Sequence, residues 1–298
     1  MPKDLSSVVI RSLGPDDLSS CIELCLDRNW WPERGKWELL LAEADGWGID
    51  APDGHGLAGT VILTRWAPDR AAIGMMLTAT RYARQGLGRA LMEKALNEAG
   101  EGVAVSLYAT AAGRPLYDKL GFKPLRKNAS FRGRFHVSSK AHGKKGEAQA
   151  GAAGAPGDVR LVTEADLPAI IALDRAMYGA DRERMLVRLP SFADRFILFE
   201  DSQGIGGYAA SWRTEPFMHV GPLVAPDDAA VRRLITDLGT HSAVPIRLDL
   251  DPDRTELANW VRGCGLAISE RTVFMTRGDL TPAGKPDHVY SPLSVACA

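Results

Sequence analysis

The chain has 298 residues, 45 % of them apolar and 24 % charged, which excludes fibrous or largely disordered classes and gives enough length for two cores of ordinary size. The net charge is −1, unevenly spread: 18 Lys+Arg against 16 Asp+Glu in residues 1–135, 3 against 1 in 136–157, and 15 against 20 in 158–298. Neither half has the basic face or basic-aromatic groove that nucleic acid requires, so no nucleic-acid partner is expected.

In chain order, Val8–Leu13 reads as a short strand, and Asp16-Asp17 supplies cap residues for a helix over Leu18–Asp27. A second helix covers Lys36–Glu43. Strands follow at Gly46–Asp50 and Leu57–Arg65 around the turn-rich APDGHG, then at Ile73–Thr78. A helix starts at Gly86, with Leu87, Ala90, Leu91 and Ala95 at helical spacing. Val103–Tyr108 is a strand, Arg114–Leu120 a helix, and Phe122–Pro124 with Phe131–Val137 would close the sheet.

Residues 136–157 are rich in Gly, Ala, Ser and Lys and predict a flexible linker. Beyond it the order repeats. Val159–Val162 is a strand, Thr163 three residues before Asp166 suggests a box-like start for a helix through Ala176, and strands follow at Phe196–Glu200, Gly207–Trp212 and His219–Val224. A helix at Ala229–Gly239, a strand at Ile246–Asp249, a helix at Thr255–Cys264 and a strand at Ser269–Thr276 complete the set. Both halves therefore predict mixed α/β (α+β) domains, 1–135 and 158–298, of one repeated fold.

The first twenty residues hold no apolar signal core and no eighteen apolar residues run together, so no membrane partner and a cytoplasmic location are the expectations. Cys21, Cys25, Cys264 and Cys297 form no CxxC pair and the histidines sit at no zinc-ligand spacing, so no metal is expected. Cys21 and Cys25, one helical turn apart, read as packing residues.

The run Ile73–Leu96 carries the chemistry. A strand turns into a helix through Arg84-Gln85-Gly86-Leu87-Gly88-Arg89, where glycines allow close approach, the first helical N–H groups lack partners and the helix dipole favours an anion. A pyrophosphate matches in size and sign. The dinucleotide pattern fails because Gly86-Leu-Gly88-Arg-Ala-Leu91 lacks the third small residue and the next strand ends without an acid. A phosphate-binding P-loop fails because Arg89-Ala90 stands where Lys-Ser/Thr belongs. A strand-helix corner that merely uses glycine remains the bland alternative.

Residues 8–135 resemble the GNAT acetyltransferase family. Ala83-Arg84-Gln85-Gly86-Leu87-Gly88 matches the family's Q/R-x-x-G-x-G/A at both glycines but has Ala83 at the leading position, and Ala109 to Phe122 contains the LYxKLGF-like run Leu116-Tyr117-Asp-Lys-Leu-Gly-Phe122. The resemblance implies acetyl-CoA as co-substrate, held by Arg84, Gln85, Gly86, Leu87, Gly88, Arg89 and Ala90, with the pantetheine arm along Leu77, Thr78 and Ala79. It also implies that a backbone N–H near Leu77 polarises the acyl carbonyl. Tyr117 matches the position of the family's general acid; a packed tyrosine beside Leu116 and Leu120 is the alternative. Many relatives carry an acid on the strand matching Ile73–Thr78, and none is present here, so no base is named.

The connection between the first two helices borders the acceptor in the family. Here it is Asn29-Trp30-Trp31-Pro32-Glu33-Arg34, with Trp37 close behind, so Trp30 and Trp31 are the substrate-side candidates, through cation–π contact with an amine; core or lid packing is the alternative. Val159–Asp237 resembles the C-terminal acetyltransferase-like domain of bacterial tandem proteins, but its corner, Gly221-Pro222 to Pro226-Asp227-Asp228, places acids where a pyrophosphate would lie. The segment Tyr178–Arg184 reads as ordinary surface charge or an acceptor-side loop. The expectation is an N-acetyltransferase acting on a small-molecule amine with a non-binding second domain; the alternatives are a transferase of longer acyl chains and a CoA-binding regulatory module without turnover.

Overall fold

The computed structural model describes residues 9–137, 157–279 and 284–296. The chain runs β1 (Arg11–Ser12), α1 (Leu18–Asp27), α2 (Arg34–Glu43), β2 (Asp45–Asp50), β3 (Leu57–Ala67), β4 (Arg70–Thr78), α3 (Leu87–Ala99), β5 (Ala104–Ala109), α4 (Arg114–Lys119) and β6 (Lys123–Gly133). It continues as β7 (Gly157–Leu161), α5 (Leu167–Tyr178), α6 (Glu183–Leu186), α7 (Leu189–Phe192), β8 (Arg195–Asp201), β9 (Gly204–Thr214), β10 (Phe217–Val224), α8 (Asp228–Thr240), β11 (Ile246–Leu250), α9 (Thr255–Gly263), β12 (Ala267–Arg277) and β13 (Val289–Ser291).

Two compact units result, and they are not consecutive in sequence. Of the described residues, unit 1 holds 9–125, 274–279 and 295–296, and unit 2 holds 126–137, 157–273 and 284–294. The expected boundary at residue 135 thus falls ten residues into unit 2, because β6 and β12 each contribute one end to either unit. The expected linker, 136–157, lies almost wholly outside the described residues, as does Val8 of the expected first strand. The two closing strands expected at 122–124 and 131–137 are instead the single eleven-residue β6. Pairing on both sides holds its polar middle extended: Ala129–Gly133 pair with β11, and Asn128 Nδ2 donates to Thr272 Oγ1 of β12 at 3.1 Å.

In unit 1 the strand order is β1-β2-β3-β4-β5 followed by the end of β12, with β1 to β4 antiparallel and β4 parallel to β5. The middle of β3 is apolar on both faces, so Val61, Ile62 and Leu63 are all buried; of the residues predicted at helical spacing on α3, Leu87, Leu91 and Ala95 are buried, joined by Met92, and Ala90 is half-buried. Cys21 and Cys25 are buried on α1, as their spacing predicts, and burial pushes the Cys21 thiol up to about 12. In unit 2 the order is the start of β12, then β6-β11-β10-β9-β8-β7, with β13 on β10. β10 and β11 run parallel there, and a core cluster joins α8 and α9 to that sheet through Val231, Leu234, Leu248, Leu257 and Phe131.

The repetition extends to side chains. In unit 1 Arg11 bridges Asp17 (2.7 Å) at the start of α1 and Asp50 (2.8 Å) on β2; in unit 2 Arg160 bridges Asp166 (2.8 Å) and Glu200 (3.0 Å). Each aspartate reaches back to cap the incoming turn, Asp17 from Gly14 N and Asp166 from Thr163 N, which is the box expected at Thr163. In each unit the arginine holds its aspartate below the usual carboxylate range.

Candidate active site

The site in unit 1 is built on β4. Its ladder with β3 slips between Thr60↔Leu77 and Ile62↔Gly74, so two residues face one, and Met75 takes a left-handed φ of 45°. Thr60 Oγ1 donates to Met75 O at 2.9 Å and Met75 N donates to Ala296 O at 3.2 Å, which fixes the bulge from both sides. The parallel ladder with β5 covers only Arg70↔Ala104 to Ala72↔Ser106. Beyond it β4 has no strand partner on that edge among the described residues.

The register decides which peptide groups that edge offers. Ala79 N donates to Ala58 O at 2.9 Å, and a Cβ on Gly59 would lie 2.9 Å from Leu77 O, so the main chain of Leu77 and Ala79 is turned toward β3. Antiparallel strands alternate, and Met76 and Thr78 therefore face the free edge. Of the three residues expected along a pantetheine arm, Thr78 faces that edge, and the main chain of Leu77 and Ala79 faces β3.

The corner after β4 is anchored from α1: Thr80 N donates to Asp27 Oδ2 at 2.6 Å, and Arg28 Nη1 to Thr80 Oγ1 at 3.2 Å. Nothing in the spacing of residues 27 and 80 announced this lock. The chain then takes left-handed φ at Arg84 (60°) and at Gly86 (88°), the residue before α3. Ala90 N is the first to donate within the helix, to Gly86 O at 3.1 Å, so the amides of Leu87, Gly88 and Arg89 have no acceptor inside it. A Cβ on Gly88 would stand 3.4 Å from Met76 Cε, 3.4 Å from Thr78 Oγ1 and 3.7 Å from Leu116 Cδ2. Gly88 is thus the floor of a wedge where the free edge, α3 and α4 converge. Arg84 is exposed, and Arg89 Nε donates to Glu93 Oε1 at 2.8 Å one turn along. Gln85 reaches back toward Arg81 O at 3.5 Å.

Tyr117 lies on α4 next to Leu116. Its ring rests on Gly113, where a Cβ would come within 2.9 Å of Cε2 and 3.2 Å of the hydroxyl, and meets Phe122 edge-on at 6.0 Å. The residue is buried, its hydroxyl has no hydrogen-bonding partner among the described residues, and burial pushes its pKa up to about 12.

Trp30 and Trp31 are exposed in the α1–α2 connection, at 36 % and 43 %. Trp37 is different: it is wholly buried, with Nε1 donating to Cys25 Sγ at 3.2 Å, and belongs to the core. Glu33, the acid beside the tryptophans, is also buried and ion-paired with Lys36. In unit 2, Arg182 of the Tyr178–Arg184 segment is no surface charge. It is buried against Asp174 (Nε to Oδ1 3.0 Å, Nη2 to Oδ2 2.6 Å) and Tyr208 (3.2 Å), above the Tyr178 ring. No group of metal-binding side chains occurs among the described residues, and no helix there is long and apolar enough to cross a membrane.

A bulged strand parting from its parallel neighbour and leading into a glycine-started helix defines the architecture of acyl-CoA-dependent acyltransferases of the GNAT type. Similarity to known proteins agrees with this. The Acetyltransferase (GNAT) family matches residues 16–122, and an Acetyltransferase (GNAT) domain matches 170–291. An uncharacterized N-acetyltransferase of Bacillus subtilis (strain 168), YitH, is 28 % identical over 289 residues, 95 % of this chain and 96 % of that protein. An inferred acetyltransferase from Pyrococcus horikoshii superposes with a TM-score of 0.77 at 19 % identity, over 98 % of this chain and 96 % of that one. A tandem GNAT protein from the clavulanic acid biosynthesis pathway gives 0.59 at 13 %, over 91 % and 98 %. The chain belongs to the GNAT acetyltransferase family in its tandem form and is an acyltransferase.

Proposed function

We propose that unit 1 transfers an acetyl group from acetyl-CoA to the amine of a small molecule. The observation that carries this reading is the continuity of the β4 edge at Met76 and Thr78, which has no strand partner among the described residues, with the helix-start amides of Leu87, Gly88 and Arg89, which have no acceptor inside α3. An extended arm with amide groups fits the edge, and a pyrophosphate fits the helix start. Arg84 adds charge from the loop. Ala83 removes a side chain from the family pattern but none of these backbone donors.

In the reaction the amine nitrogen attacks the thioester carbonyl, a C–N bond forms and the C–S bond breaks. The peptide N–H of Met76, beside the bulge and next to Leu77, polarises the carbonyl oxygen. Tyr117 donates its phenolic proton to the departing thiolate and is reprotonated by solvent. At a pKa near 12 it keeps that proton throughout the physiological range. The same burial raises a thiolate's basicity, which narrows the gap between donor and acceptor. β4 carries no carboxylate, so the ammonium proton leaves to water. Trp30 and Trp31 form the acceptor side through their exposed faces, whereas Glu33 is neutralised by Lys36 and offers no charge to an amine.

The test is calorimetry of the full chain with acetyl-CoA, followed by free-thiol release with a panel of amines. One site, lost when Gly86 is replaced by valine, and amine-dependent thiol release support the proposal. Unchanged affinity in that variant places the cofactor elsewhere. Turnover only with longer acyl-CoAs would change the donor.

A further inference from the structure

Unit 2 repeats the bulged strand and helix start of unit 1, with the slip one residue earlier, and the repeat is filled. The run Val220-Gly221-Pro222-Leu223-Val224-Ala225 follows Ile73-Gly74-Met75-Met76-Leu77-Thr78. Gly207 stands opposite Ala225, with a Cβ there 3.1 Å from Ala225 Cα and 2.7 Å from Val224 O, as Gly59 stands opposite Thr78. β10 slips against β9 between Val220 and Leu223, and its parallel ladder with β11 ends at Val220↔Leu248. Alternation then turns Leu223 and Ala225 to the edge that Met76 and Thr78 offer in unit 1.

That edge is taken by the chain itself. Leu223 pairs with Ser291 and Val224 with Val289 in the antiparallel β10–β13 ladder, and Ala225 N donates to His288 O at 3.0 Å. The anion end is closed as well. Asp227 accepts from Ala230 N at 2.8 Å and caps α8, Asp228 accepts from the Tyr290 hydroxyl at 2.8 Å and pairs with Arg254 at 3.5 Å, and the Arg254 guanidinium lies 4.1 Å over the Tyr290 ring. Of the two bulge residues of β10, Gly221 and Pro222, the second supplies no N–H.

We propose that the segment Asp287–Ser291 is a built-in ligand of unit 2, lying along β10 as the pantetheine arm lies along β4 in unit 1, with Tyr290 as its anchor at the helix start. The likeness to a pantetheine arm rests on the proposed function of unit 1; the occupancy itself does not. The consequence is one acyl-CoA site per chain, the second groove being held shut by sequence that the unit itself carries.

Hydrogen exchange on the full chain tests this, with and without acetyl-CoA, in the parent and in Tyr290→Ala. Exchange in peptides spanning 218–226 should be slow in the parent and unchanged by acetyl-CoA, while peptides spanning 73–91 become slower. Without acetyl-CoA, Tyr290→Ala should speed exchange in 218–226 about tenfold or more, since the ring and a charge-assisted bond are lost. Should that variant fail to fold, Tyr290→Phe, which removes only the bond to Asp228, gives the same readout with a smaller change. Acetyl-CoA slowing exchange in 218–231 of the parent, or variants that leave 218–226 as slow as before, would overturn the proposal. Protection absent from 73–91 with 218–226 accelerated in the variant would instead sink the reading of unit 1 and leave the built-in ligand standing.

Discussion

Gly88→Ala separates what the residue does for folding from what it does for the cofactor. Gly88 has no left-handed φ, so a side chain is conformationally allowed, and the atoms nearest the new Cβ are side-chain atoms of Met76 and Thr78 at 3.4 Å and of Leu116 at 3.7 Å, ordinary contact distances. Alanine in a helix is worth up to about 1 kcal/mol over glycine, less in the first turn, so a Tm rise of roughly 1–3 °C is expected for a unit of this size. In the proposed binding mode, however, the methyl group fills the wedge and should keep a phosphate oxygen from the Gly88 amide. A hydrogen bond to a charged group is worth about 1.5–3 kcal/mol, which is a loss of roughly 10–150-fold in acetyl-CoA affinity. Differential scanning fluorimetry and calorimetry on one preparation read both effects. A variant that is as stable as the parent or more so, yet binds acetyl-CoA with a Kd within about twofold of it, would refute the wedge.

Tyr117→Phe should lower kcat about 10²–10⁴-fold while acetyl-CoA affinity stays within a few-fold, measured by steady-state thiol release; a full-rate variant makes Tyr117 a packing residue. Because the Tyr117 pKa is raised from about 10 to about 12, its contribution to stability is fully present below pH 10 and is lost as pH rises through 12. At about 1.4 kcal/mol per unit this comes to about 3 kcal/mol, so Tyr117→Phe should lose less stability than the parent between pH 9 and pH 11 in parallel urea melts. Asp174→Ala should destabilise unit 2 by about 3–5 kcal/mol in urea melts by stranding buried Arg182, and adding Arg182→Met should recover much of it. A chain ending at residue 135 lacks the part of β12 that belongs to unit 1 and should show no cooperative thermal transition by circular dichroism.

Local signals carried most of the fold. Where the 3.6-residue periodicity is strong the ends are legible too: α8 falls within one residue of its predicted bounds, and α3 begins one residue after its predicted start. The glycine pair marked the corner because its meaning is a backbone property. What escaped was set by distant partners. β6 read as two pieces because Arg126-Lys127-Asn128 is polar, and only pairing with β11 and β12, more than a hundred residues away, makes it continuous. β13 is three residues long and has no pattern of its own. The burial of Arg182 and Glu33 was hidden for the same reason: a charged residue looks solvated until its counter-ion is placed. Met75 at positive φ had no signal in a run of apolar residues.

The mixed ownership of β12 also sets an order of events at the ribosome. β5 is made by residue 109, but the strand that covers its outer edge ends at residue 277. At about 5–20 residues per second, Val105 and Leu107 wait roughly ten to thirty seconds beside an unpaired strand edge, the kind of surface that recruits other chains. Unit 1, although first in the sequence, can finish only after most of unit 2 has been synthesised. Conditions that slow translation should therefore increase aggregation of this protein more than they would for a chain whose two domains follow one another.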